Sequence, residues 1–423
     1  MMLLPAAAEA SSHAVVTFFW VAAAAVVAPL LAAALGGRVA QVVALLGLGV
    51  LIGPHVTGVA HPGDVALVSE LGLGLLFLLA GFEIDVESLK GPSGRRAWGT
   101  WAVCFGLAVL VALWPTRDAG PMAAIALGLA LCSTALGALL PILQERGQTR
   151  TAVGRSVMTH GAVGELGPVL AVAVLLSSRS LGASLVVLGL FAVAVLVVVA
   201  VPRWLWQRLP GLRRAVQEGA RGTRQLVLRV IVLLLAALMA TAAVFGLDVV
   251  LGAFAAGVIL RRMVDAQANG DPAGGKVDAD ELAHQLEGTL NTIAWSIFIP
   301  TFFVVSGMGI DVGAVAASPL LLVLLVVAIA VVRGVPVWWA ERWAARRASA
   351  QEPVAGDPAD PRVVALYAAT GLPIIVAVTE VAVDNGLMEP DLASVLVAAG
   401  AVTVLVFPAL AGRWGRDVTA GTR

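Results

Sequence analysis

Apolar segments follow one another along almost the whole chain, each about the 20 residues needed to cross a bilayer as a helix. That succession restricts the backbone more than any other feature. Hydrocarbon offers no partner to a free N–H or C=O, so only helices or a closed barrel can span it, and runs of this length select helices. Divided at Gly, Pro and charge, the sequence predicts thirteen spans near residues 14–35, 40–60, 65–85, 97–115, 121–142, 153–176, 181–201, 225–245, 247–262, 290–310, 316–340, 362–383 and 391–412. With 60% hydrophobic residues, 13% charged residues and a mean hydropathy of +0.95, the chain cannot be a soluble globule. The expected class is an all-α polytopic membrane protein. No Lys or Arg precedes Arg38, so the start lacks the basic region of a secretory signal peptide.

Net charge is zero, which points to neither nucleic acid nor an acidic partner, so only the distribution of charge informs. If the N-terminus is outside, all but Arg117, Arg179 and Arg333 of the 27 basic residues fall in loops or tails on the cytoplasmic side. Basic residues retained on the cytoplasmic side fix this orientation, and removing any one span would scramble the pattern. The expected location is the inner (plasma) membrane, with the C-terminus cytoplasmic.

Residues 77–86 read FLLAGFEIDV and residues 303–312 read FVVSGMGIDV, an echo with an offset of 226 residues. Span 3 runs inward and span 10 outward in this topology, so the echo is inverted. Inverted repeats of this kind build secondary transporters, whose sites lie at the repeat interface near the bilayer midplane. The expected organisation is a first six-helix repeat over 1–176, a linker of span 7 and a basic loop over 177–224, a second repeat over 225–412, and a tail over 413–423. Residues 263–288 and 348–361 read as flexible connectors. Basic residues interleaved with Trp204 and Trp206 over 203–224 suit the anionic lipid surface.

Charge inside the spans carries the functional signal. Glu165 falls near the middle of span 6 and Arg333 inside span 11. A charge at the bilayer centre costs on the order of 2.5–3.5 kcal/mol on insertion scales, so each should face protein or a watered cavity. Each is a candidate partner for the other, as a core ion pair. His160 in span 6 and Glu380 in span 12 are secondary candidates. The five-residue offset from His160 to Glu165 does not put them on one helical face.

Spans 5 and 12, matched by the repeat, both carry helix-breaking segments: CSTALGALLP at 132–141 and TGLP at 370–373. Unwound backbone at midplane depth is tolerated where protein covers it or it lines a cavity, and its free carbonyls are ready ion ligands. Ser133, Thr134 and Thr370 are therefore candidate oxygen donors beside Glu165. Hard alkali cations favour such ligands, and no soft-ligand cluster is present.

These residues resemble the second monovalent cation:proton antiporter family, the Kef-like and NapA-like sodium or potassium/proton exchangers. The resemblance runs through LGLGVLIGP (46–54), LGLLFLLAGFEID (73–85), CSTALGALLPILQERG (132–147), LGAFAAGVIL (251–260) and FIPTFFVVSGMGID (298–311). It implies the sodium/proton antiporter fold: thirteen helices in two inverted six-helix repeats, crossed broken helices 5 and 12, and a homodimer whose panel includes helices 2 and 9. It also implies an ion carboxylate at Glu165 and a basic partner at Arg333. In that family the residue before the carboxylate is commonly Asp or Asn, whereas here it is Gly164. No nucleotide-binding domain like that of Kef proteins is expected after span 13. The implied activity is exchange of sodium or potassium for a proton, electroneutral because a second carboxylate is missing, with no cofactor and no resident metal. The alternative is a proton-coupled exporter of a small organic solute, with Gly164 enlarging the cavity. A channel lacks its filter sequence here. Enzyme chemistry is not expected, since the five His, Cys104 and Cys132 are scattered without motif spacing.

Overall fold

The computed structural model describes residues 3–35, 40–84, 89–136, 139, 142–143, 146–149, 151–175, 181–208, 225–268, 279–351 and 359–419. Each of the thirteen expected spans is a helix or an interrupted helix among these residues, and the protein is an all-helical, polytopic membrane protein. Span 2 is shorter than expected. Its helix, Gln41–Ile52, stops at Gly53 in extended conformation just before Pro54, which cannot continue it. Span 10 is longer, because the polar stretch expected to be a connector is helical from Ala279 to Ile293. Leu282, Leu286 and Leu290 recur there every four residues, an amphipathic pattern that hydropathy averaging hides. The remaining connector residues 269–278 and 352–358, the basic loop 209–224 and Asp85 of the first echo lie outside the described residues.

The chain divides into two compact units. The first comprises residues 1–69, 86–172 and 300–423. In it, span 2 meets span 10 through glycines. A Cβ on Gly307 would strike the backbone of Leu46, and one on Gly53 would fall 2.8 Å from Met308 Cα. Asp311, the acid of the second echo, caps the short helix Val312–Ala317, its Oδ1 accepting from the N–H of Gly313 at 2.7 Å and of Ala314 at 3.2 Å. Thr17 of span 1 donates to Asp64 at 2.7 Å, tying the entry of span 3 to span 1. Leu139, Leu143, Val157, Val337, Val364 and Tyr367 bring spans 5, 6, 11 and 12 together in a fully buried apolar cluster.

The second unit comprises residues 70–85 and 173–299. Here span 3 meets span 9 through Gly81, which abuts the carbonyl of Phe254, and Gly257, which abuts that of Leu78. Gly81 and Gly307 are the matched glycines of the echo. Each admits a neighbouring backbone where any side chain would intrude, so the repeated sequence performs the same packing task in both copies.

Candidate functional site

Spans 5 and 12 are both broken at the positions the sequence predicts. In span 5 the helix Pro121–Leu131 ends and residues 132–135 leave the helical path. In span 12 the helix Pro361–Ala368 ends at Ala369, and a second helix, Leu372–Asp384, starts after Gly371. The breaks cross. The Ala135 N–H donates to the Thr370 carbonyl at 2.7 Å, the Thr134 hydroxyl donates to the Ala368 carbonyl, and Ser133 Oγ lies 3.4 Å from the Gly371 carbonyl. A Cβ on Gly371 would come within 2.6 Å of Ser133 Oγ, so the close approach needs glycine there. Each break thus supplies partners for backbone groups that the other has freed.

Span 6, Ala152–Leu175, passes this crossing with Glu165 inward. The Gly164 carbonyl accepts the Thr134 N–H at 3.0 Å, and the Leu136 N–H donates to the Glu165 carboxylate. Glu165 is 3% exposed, and its Oε2 has no hydrogen-bond partner. The crossing gathers Ser133, Thr134 and Thr370 with it, all buried. Ser133 also donates to the Ala130 carbonyl at 2.8 Å and Thr370 to that of Leu366 at 3.3 Å. With their protons used on backbone carbonyls, these hydroxyls keep oxygen lone pairs.

The expected ion pair is not formed. Arg333 is 0% exposed, but its guanidinium is spent elsewhere: Nε donates to Thr134 Oγ1 at 3.0 Å, Nη2 to the His160 carbonyl at 2.7 Å, and Nη1 lies 3.7 Å from Cys104 Sγ. Among the described residues no ion pair joins it to Glu165. The reason is local geometry. Arg333 sits in a π-helical turn, Ala330–Gly334, which re-aims its side chain, and Gly164 leaves room for it. A Cβ on Gly164 would be 2.8 Å from Thr134 Cβ and closer still to Arg333 Nη2. The space beside Gly164 is therefore filled by the guanidinium and does not enlarge a cavity.

His160 is buried and faces a different acid, its Nε2 3.0 Å from Glu341 Oε1. Arg96 Nη2 reaches the same oxygen at 3.3 Å. Sequence reasoning misses both partners, because Glu341 falls one residue past the expected end of span 11 and Arg96 falls in the loop before span 4. A signal was available: Arg333, Val337 and Glu341 recur every four residues, and all three are buried. Glu380 is exposed on the second half of span 12 and is not part of the crossing.

A sequence profile described as "Sodium/hydrogen exchanger, transmembrane" matches residues 22–413. The chain is similar to the Bacillus subtilis protein YjbQ, named for Na(+)/H(+) antiport, at 26% identity over 72% of this chain and 49% of that one. It is similar to the glutathione-regulated potassium-efflux system protein KefC of Salmonella heidelberg at 25% identity over 88% of this chain and 57% of that one. It therefore spans about half the length of these curated relatives. Among solved structures, the sodium proton antiporter MjNhaP1 of Methanocaldococcus jannaschii superposes with a TM-score of 0.60 at 15% identity, over 94% of this chain and 96% of that one, a likeness of fold.

Proposed function

The chain belongs to the sodium/hydrogen exchanger family, and from that premise we propose that it exchanges a monovalent cation, sodium or potassium, for a proton by alternating access. The observation that carries this reading is the Glu165 carboxylate, buried beside two broken helices with one oxygen unpartnered and, among the described residues, no basic side chain paired with it. A carboxylate so enclosed needs a neutralising partner. Arg333 does not take that role, so the transported ions do: a proton or a desolvated cation, one at a time. Competition for a single carboxylate couples the two fluxes. Thr134, Ser133 and the carbonyl side of the break at Thr370 complete the oxygen shell of the cation.

Arg333 acts as a brace. Its donors fix Thr134 of the span 5 break to the His160 carbonyl of span 6. The two six-helix repeats, 1–176 and 225–412, are the units of this cycle, with the N-terminus outside, the C-terminus cytoplasmic and the inner membrane as location. The working assembly is a homodimer. Dequenching of a pH-sensitive dye in everted vesicles on addition of sodium or potassium tests the reading. Glu165→Gln abolishes the response in a protein that still inserts and melts cooperatively, and Glu165→Asp keeps part of it with a displaced pH profile. Flux from Glu165→Gln equal to that of the unsubstituted protein would overturn the assignment.

A further inference from the structure

Along span 11 lies an apolar crevice of about 200 Å³, formed with the first half of span 12 and the end of span 13. It is lined by Val335, Ala365 and Leu366 together with Trp338, Trp414 and Arg362. Its surroundings are apolar and exposed: Val331, Val335, Trp339 and Trp414 are each at least 44% accessible. In a polytopic membrane protein such a surface faces acyl chains, and an open apolar groove there is filled by them.

Charge selects which lipid. Arg362 is exposed, and among the described residues its guanidinium has neither an ion-pair nor a hydrogen-bond partner. The Arg342 guanidinium lies 5.2 Å from the centroid of the Trp338 ring at the same end. Two tryptophans and Arg362 lining an apolar slot, with Arg342 stacked on one of the indoles, match a phospholipid with an anionic headgroup. The arginines take the phosphate, the indoles sit at headgroup level and one acyl chain enters the slot. A zwitterionic lipid offers the same chains, but its cationic group opposes the arginines.

We propose that this crevice binds one anionic phospholipid, phosphatidylglycerol in kind, with its headgroup on Arg362 and Arg342. The bound chain would touch the backs of two elements that build the ion site. One is the π-helical turn carrying Arg333. The other is the last turn before the span 12 break, where the Ala368 carbonyl accepts Thr134.

The test uses the full chain in detergent and reads thermal unfolding and native mass spectra with added phosphatidylglycerol or phosphatidylcholine of identical chains. The expected result is a retained single phosphatidylglycerol and a rise in Tm of a few degrees. Both are lost in Arg362→Gln, which removes the charge, and in Val335→Trp, which fills the slot. Both are kept in Val331→Trp, a substitution on the same exposed face outside the crevice. An equal response to phosphatidylcholine overturns the proposal, as does a phosphatidylglycerol response that survives in both crevice variants or disappears in the control. None of these readouts needs transport, so the proposal can fail or stand whether or not Glu165 carries ions.

Discussion

At the residue scale, Gly164 and Arg333 are one decision. The guanidinium occupies the volume that a side chain at 164 would need, and from there it binds Thr134 and the His160 carbonyl rather than Glu165. Buried charge-assisted hydrogen bonds contribute about 1.5–3 kcal/mol each, so Arg333→Gln is expected to cost roughly 2–4 kcal/mol of stability. Because Arg333 and Glu165 are not paired, the Glu165→Gln, Arg333→Gln double variant should lose about the sum of the single losses, to within roughly 0.5 kcal/mol, in thermal or denaturant unfolding. A double variant as stable as the better single one would show a coupling that the geometry lacks. Both charges were legible in the sequence, because the cost of a charge in hydrocarbon flags any that persists. Their partners were not. Helical period names a face only when the register is regular, and the π-helical turn at Ala330–Gly334 shifts it just where Arg333 leaves the backbone.

Among the elements, the breaks in spans 5 and 12 and the glycine echo were readable for a different reason. Ser-Thr and Thr-Gly-Leu-Pro interrupt otherwise continuous apolar runs, and glycines recurring at matched offsets need a structural cause. Span ends were less readable, since a helix that leaves the membrane continues on amphipathic pattern instead of hydropathy, as Ala279–Ile293 does. The echo also separates two neighbouring glycines. A Cβ on Gly307 meets the Leu46 backbone, whereas one on Gly309 meets only the Ser306 carbonyl at an ordinary 3.5 Å. Gly307→Ala should therefore destabilise by about 2–3 kcal/mol through overpacking against backbone. Gly309→Ala should be neutral to within about 0.5 kcal/mol. Melting curves of the two purified variants decide this, and equal losses would remove the packing role assigned to the echo.

For the whole molecule, the consequence is the charge moved per cycle. If the proposed exchange runs through Glu165, whose Oε2 is unpartnered, one proton is traded for one monovalent cation, and Arg333 cannot release a proton as a lysine could. Another buried acid, Glu341, is already paired with Arg96 at 3.3 Å and hydrogen-bonded to His160 in its own cluster. Exchange in proteoliposomes under an imposed cation gradient should therefore leave a voltage-sensitive dye silent while a pH dye responds. A potential generated by exchange and abolished by Glu165→Gln would mean that a second charge moves.

The crossing also has a history in time. Thr134 and the carbonyl it satisfies are 234 residues apart in the chain. At roughly 5–20 residues per second, the ribosome delivers Ala368 some 10–50 seconds after Thr134. Through that interval the freed peptide groups of span 5 have no span 12 to meet, and hydrocarbon cannot serve them. The first half of the molecule must then wait with its break held in water, in the translocon or among headgroups. A nascent chain arrested before residue 361 should remain extractable and protease-sensitive around residues 132–135, and gain its resistance only when the second break arrives.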